Sequence, residues 1–162
     1  GVPQSRQRVF FISRKKSLKL KKLQLNFKEK PITFSDVSKM VEKYINPKEN
    51  LNLSPEIAKL YLKVKKGSNF SKVHHKGHYF NTVKLSFNKP IPTYCSGSTF
   101  CHPEIKRSIS YNELLICSSF PIDFKYKNIN KARWAMGMSV PPFMIQRLAL
   151  EITRQWKLHE IK

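Results

Sequence analysis

Chemistry in this chain has to come from a short inventory of side chains. Gln4, Arg6 and Arg8 stand just before an apolar run. Guanidinium groups are planar and permanently charged, so these residues suit phosphate contacts or a salt-bridged strand edge. His74, His75, His78 and His102 could suggest a metal, but their spacing matches no common zinc pattern and no acid or cysteine completes a set. No metal is therefore expected, and base, phosphate or plain surface roles stand in its place. Cys95, Cys101 and Cys117 lack CxxC spacing, and no Arg or His arrangement argues for an activated thiolate. All three read as structural, which fits a reducing cytoplasm. Gly137-Met138-Ser139-Val140-Pro141-Pro142 precedes a helix start. Such a turn binds anions where free backbone N–H groups point outward; an ordinary helix cap is the plain alternative.

The charge says what kind of partner these groups face. Against 31 Lys and Arg stand 10 Asp and Glu, a formal net charge of +21. Such an excess repels itself in a compact state and favours a polyanionic partner. Nucleic acid comes first, because each phosphate neutralised releases counterions; an anionic membrane surface and a ribosome-like basic protein are the rivals. No apolar run approaches the roughly 20 residues that span a bilayer, and no signal-peptide pattern is present. With 40% hydrophobic residues the chain can bury a core. The start at Gly1, directly before an apolar run, suggests a segment of something longer.

Several elements must position these groups. Val9 to Ile12 reads as a short strand buried on both faces. A basic stretch follows, from Arg14 to Lys22. Ser35 can cap a helix with Val37, Met40, Val41 and Tyr44 on one stripe, stopped by Asn46-Pro47. Ser54-Pro55-Glu56 starts a second helix with Ile57, Leu60, Tyr61 and Val64 facing inward. Residues 67 to 106 are loop-rich, with strand-like pieces at 79–85 and 91–95, and carry polar and basic tips at Lys72, His74, His75, Lys76, His78, Asn81 and Lys84. Loops of this kind often carry recognition. Ser110-Tyr111-Asn112-Glu113 is a capping box. Met144, Leu148, Ile152 and Trp156 fall four apart on a last helix, beside Ile145 and Ala149.

Three blocks, in order, resemble the C-terminal half of the DNA (cytosine-5) methyltransferases. Gly1-Val2-Pro3-Gln4-Ser5-Arg6-Gln7-Arg8-Val9-Phe10 resembles the family's Gln-x-Arg-x-Arg motif. The stretch from Arg107 through Ser110 and Glu113 to Phe120-Pro121-Ile122-Asp123 is similar to its Arg-x-Leu-Thr-x-x-Glu … Phe-Pro-Asp stretch. Gly137 to Pro142 looks like its Gly-Asn-x-Val-Pro turn, with Met138 where the family usually has Asn. Between the first two, Lys89-Pro90-Ile91-Pro92-Thr93 falls at the family's Pro-x-x-Thr element.

The resemblance implies a mixed α/β fold, part of a Rossmann-like catalytic domain, with a small recognition lobe. Residues 1–14 would supply a catalytic-domain strand, 15–106 the recognition lobe, and 107–162 the last motifs and closing helix. Arg8 would hold the flipped cytosine near its O2, with Arg6 and Gln4 organising the strand and reaching phosphate. Thr93 would sit near the backbone of the flipped nucleotide or simply pack in a strand, while Lys72, Lys76 and Lys84 would meet DNA. Ser139 and Val140 would close one side of the pocket for S-adenosyl-L-methionine. Arg107 and Glu113 look structural.

The family's Pro-Cys nucleophile, Phe-x-Gly-x-Gly loop and Glu-Asn-Val acid are not found in these 162 residues. The expectation is a methyltransferase subunit or segment that is incomplete alone. It would bind double-stranded DNA, associate tightly with the N-terminal catalytic half, share the cofactor with it, and work in a bacterial cytoplasm at the nucleoid. A stand-alone basic DNA-binding protein without catalysis is the rival, and a basic RNA-binding protein a further one.

Overall fold

The computed structural model describes residues 1–157, and their fold is mixed α/β as expected. The chain enters through β1 (Gln4–Ser5) and reaches helices α1 (Phe34–Val41) and α2 (Pro55–Leu60). Short strands β2 (Ser68–Asn69), β3 (Thr82–Lys84), β4 (Ile91–Pro92) and β5 (Thr99–Cys101) follow, and then helices α3 (Tyr111–Cys117), α4 (Ile129–Met138) and α5 (Pro142–Trp156). β1 pairs in parallel with β4, so Gln4 lies beside Ile91 and Ser5 beside Pro92. In a second sheet, ordered β2-β3-β5, β3 runs antiparallel to β2 and parallel to β5.

The helix starts follow capping chemistry. At α1 the cap is Thr33, not Ser35: Thr33 Oγ1 accepts from the Asp36 N–H, and the Asp36 carboxylate accepts from the Thr33 N–H at 2.9 Å. A reciprocal box needs an acid three residues on, which Thr33 has and Ser35 lacks. Phe34, Val37 and Val41 of α1 are buried, while Met40 and Tyr44 face outward. Ser54 caps α2, with Pro55 at its first position, and the Ser110–Glu113 box caps α3.

One core joins α1, α3 and α4 to Leu85, Ile91, Tyr94 and Phe100. It therefore crosses the expected boundary at residue 106, because the apolar stripe of α1 packs on α3. A smaller cluster gathers Ile57, Tyr61, Val64, Phe70 and Cys101 around α2. Glu49 ties the segment before α2 to α3 and α4. Its carboxylate accepts from the Tyr111 N–H at 2.8 Å and from Arg133 Nη2 at 3.1 Å.

Two expectations are corrected. Val9 to Ile12 is not a strand: Val9 is 79% and Phe11 94% exposed, since no strand among the described residues lies beside them to complete a ladder. Gly137 and Met138 belong to the end of α4 rather than to a turn. That helix escapes a periodicity reading because its sequence carries no clean apolar stripe; Ala132, Met136 and Gly137 are buried, and Trp134 and Met138 are exposed. On α5 only Leu148 is fully buried. The rest of its apolar face is partly covered by residues 21–29. The Gln24 N–H donates to Gln155 Oε1 at 3.0 Å, Gln155 Nε2 donates back to the Gln24 carbonyl at 2.8 Å, and Trp156 Nε1 donates to the Lys21 carbonyl at 2.9 Å.

Candidate functional site

The parallel pairing of β1 with β4 brings the start of the chain to residues 90–94. The Ile91 N–H donates to the Pro3 carbonyl at 3.0 Å, and Thr93 Oγ1 donates to the Ser5 carbonyl at 2.6 Å. Gln4 is buried beneath this edge. An open cleft of about 570 Å³ is lined here by Gln4, Ser5, Arg6, Gln7, Pro90 and Thr93 among others.

Arg6 is the node of the arrangement. Its guanidinium is buried and donates from Nη1 to the Tyr94 carbonyl at 2.8 Å and from Nη2 to the Gly137 carbonyl at 2.7 Å, with Gln4 Oε1 at 3.4 Å. One planar cation thus ties β1 to the turn after β4 and to the end of α4. Burial lowers its pKa first, and neighbouring Arg8 second, against an opposing influence of Cys95. No carboxylate pairs with it among the described residues, and its buried Nε has no hydrogen-bond partner. The expectation that Arg6 and Gln4 reach phosphate is corrected: both side chains are buried, and Arg6 directs both of its terminal nitrogens at protein acceptors.

The approach of α4 to this node requires glycine at 137. A Cβ there would lie 2.8 Å from the Ser96 nitrogen and 3.1 Å from the Cys95 carbonyl carbon. Both are backbone atoms that cannot swing aside. Gly137→Ala is therefore expected to cost about 1–3 kcal/mol from overpacking, measurable as a lower urea midpoint at unchanged slope.

Arg8 presents a different picture. It is exposed, and one donor, Nη1, bonds the neighbouring Gln7 carbonyl at 2.7 Å. It stands at the rim of a mainly apolar groove of about 720 Å³, with Val9, Phe10, Leu25, Phe27, Met144 and Leu148. No other acceptor for its side chain is found among the described residues.

The other expected residues scatter. Lys72 and Lys76 are exposed on the loop after β2. Lys84 is buried and does not offer itself to DNA. Its Nζ donates to the Tyr61 carbonyl at 3.1 Å and sits 4.0 Å from the Tyr61 ring centroid, and burial, then Lys66, lowers its pKa.

The turn at Ser139 and Val140 is no anion cradle. The Ser139 N–H donates to the Ala135 carbonyl and its Oγ to the Met136 carbonyl, each at 2.9 Å. Pro141 and Pro142 have no N–H, and the Phe143 N–H donates to Ser119 Oγ at 3.2 Å. Two prolines and a side-chain cap thus close the helix start, so these residues do not by themselves fit the charged part of S-adenosyl-L-methionine. No cluster of His, Cys, Asp or Glu that could hold a metal occurs among the described residues.

Sequence reasoning missed two features that hold the Arg6 arrangement: the carbonyl of Tyr94 and the close contact at Gly137. A glycine inside a helix, costly by propensity alone, was the available signal for the second. Among the described residues no helix is long and apolar enough to cross a membrane. No curated protein matches the sequence. The model of the family described as C-5 cytosine-specific DNA methylase matches residues 1–154, and the chain belongs to that family.

Proposed function

We propose that this chain is the part of a cytosine-5 DNA methyltransferase that recognises the target duplex and holds the flipped cytosine, with the nucleophilic cysteine on a partner half. The observation that carries this reading is the convergence on Arg6. Residues 4–8, 90–94 and 137, far apart in sequence, meet at one guanidinium. That contact fixes the backbone that presents Arg8 while leaving Arg8 itself exposed.

Methylating C5 requires the base to leave the stack. A thiolate on the partner half attacks C6, and negative charge builds up in the ring. Arg8, placed by β1, donates toward the cytosine O2 and stabilises that charge. Thr93 holds the Ser5 carbonyl and so keeps the Arg8 segment beside residues 90–94. Arg6 acts as a positioning residue and Gln4 packs beneath it. S-adenosyl-L-methionine, the methyl donor of such enzymes, would be bound mainly by the partner half, with Ser139 and Val140 closing one side. Residues 15–106 would carry recognition, with Lys72 and the Lys-rich stretch at 14–22 meeting phosphates and Lys76 on the loop that faces the DNA. The exposed apolar residues Val9, Phe11, Leu25 and Phe27 support a partner surface, since contiguous apolar patches mark interaction sites. Work on chromosomal DNA in the cytoplasm is the setting this reading entails.

The test is transfer of labelled methyl from S-adenosyl-L-methionine to duplex DNA, by this chain alone and with the catalytic half added. Activity is expected only in the mixture. Arg8→Ala should lower it by about 10²–10³-fold, the usual effect of removing one donor to a developing charge. Associated, soluble halves without activity would place the non-catalytic DNA-binding reading first.

A further inference from the structure

The loop between β2 and β3 is built around a buried histidine. His74 Nδ1 accepts from the backbone N–H groups of Lys76 and His78, both at 3.2 Å. Its proton is therefore on Nε2, which donates to Glu56 Oε1 at 2.9 Å. The other oxygen of Glu56 accepts from the Tyr79 hydroxyl. The His78 ring stacks on His74, centroids 4.8 Å apart at 12°, and His75 lies against it at 4.6 Å. Gly77 and Tyr79 both hold positive φ, 68° and 66°. A non-glycine residue there is strained, and the anchor of its hydroxyl on α2 holds it in place. The outcome is a fixed tip, residues 74–81, whose outward side chains are His75, Lys76, His78, Phe80 and Asn81.

Topology then decides where the tip points. β3 and β5 are parallel, with Thr82 beside Thr99, so the residues leading into each strand lie at the same end of the sheet. The Thr99 N–H donates to the Asn81 carbonyl at 3.1 Å. The residues leading into β5 include the 94–96 turn that Arg6 and Gly137 hold. The base of the tip, at Asn81, therefore lies at the same end of the sheet as the 94–96 turn held by Arg6.

We propose that this tip reads base edges in the major groove, with His75, Lys76, His78 and Asn81 as specificity-determining residues and Glu56 and His74 as positioning residues. This rests on the reading that the chain recognises duplex DNA. The side chains suit the task. Lys and Asn pair with guanine and adenine edges, and an exposed aromatic such as Phe80 meets a thymine methyl. A tip locked before binding loses little entropy on docking. The hydrogen bonds from Tyr79 and His74 hold the Glu56 carboxyl below its ordinary pKa, so it keeps both bonds and the tip its shape at neutral pH.

The experiment uses the chain assembled with its catalytic half. Duplexes are selected by binding from a randomised pool, and the selected sequences are then tested for methylation. Wild type should select a defined site. His75→Ala, Lys76→Ala, His78→Ala or Asn81→Ala should each relax preference about 10- to 100-fold at one or two base pairs. Glu56→Ala, which touches no DNA, should broaden preference at all positions the tip reads, while affinity for random-sequence duplex at low salt stays within about twofold. Lys15→Ala is the control and should weaken all sequences equally. Unchanged preference in every tip variant, or a uniform loss across sequences, overturns the proposal. Tip-dependent selection without methylation keeps it and removes the methyltransferase reading instead.

Discussion

Glu113→Ala is expected to remove about 3–5 kcal/mol of stability, the usual cost of leaving one partner of a buried ion pair alone. Glu113 is fully buried. Its two oxygens accept from Arg107 Nη1 at 2.7 Å and Nη2 at 3.0 Å, and Oε2 also accepts from the Ser110 N–H at 2.7 Å. The change would strip the Arg107 guanidinium of its carboxylate, leaving it only the Ser108 carbonyl, and orphan the N–H of Ser110, the cap of α3. Glu113→Gln keeps the volume and the cap but loses the charge, and should fall between the two. Urea unfolding checks both. The same pair sets an acid limit. Burial pushes the Glu113 carboxyl up, but the two N–H bonds from Arg107 and the one from Ser110 more than reverse it, so its folded pKa lies below the ordinary value. A depressed carboxyl contributes stability above its unfolded pKa of about 4.3 and loses it as pH falls through the folded value. His102, whose pKa burial lowers first and Arg107 second, acts from higher pH. The unfolded state takes up its proton first, so stability begins to fall below about pH 6.5. A series of melting temperatures from pH 8 to 3 should show a shallow decline and then a steep one.

Arg6→Ala is expected to cost activity and stability together. Two buried carbonyls, at Tyr94 and Gly137, would lose their donors, at about 1–3 kcal/mol each. More tellingly, Arg6→Lys should fail to rescue. A single ammonium cannot bond acceptors on two sides of a planar fork, so Lys should hold one carbonyl and release the other. The discriminating readout is methyl transfer by the assembled enzyme. If Arg6 positions the Arg8 segment, Arg6→Lys lowers kcat more than it lowers the melting temperature would suggest. If Lys restores full activity, charge rather than geometry is what the site needs.

How much of this was legible in the sequence depended on how local the cause was. The Ser54 and Ser110 caps were readable, because a cap needs only its own few residues. The strand expected at Val9 to Ile12 was not realised, because a buried strand is defined by neighbours that a periodicity reading cannot see. Lys84 looked like surface because lysine usually is; the face of Tyr61 and a carbonyl, distant in sequence, turn it inward. Of the site, the family resemblance set Gln4, Arg6, Arg8 and Thr93 together, and the fold pairs residues 4–5 with 91–92. The resemblance could not show that Arg6 faces in and Arg8 out: residues two apart share a face of a strand, and only the fold reveals that β1 ends at Ser5, so the chain leaves that geometry before Arg8. α4 escaped because a helix with two exposed large apolar residues has no amphipathic signature to find.

The node at Arg6 also changes how the chain can be lengthened. Residues 4–8 and 90–94 are clamped to each other by β1, β4 and one guanidinium, so the stretch between them is, in polymer terms, a loop with fixed ends. Doubling the length of such a loop adds only about 0.6 kcal/mol of closure entropy. α1 and Leu85 of that stretch belong to the core shared with α3 and α4, so they cannot be exchanged freely; the tip at 74–81 lies outside that core and can be lengthened at this small cost while β1 and β4 keep their register.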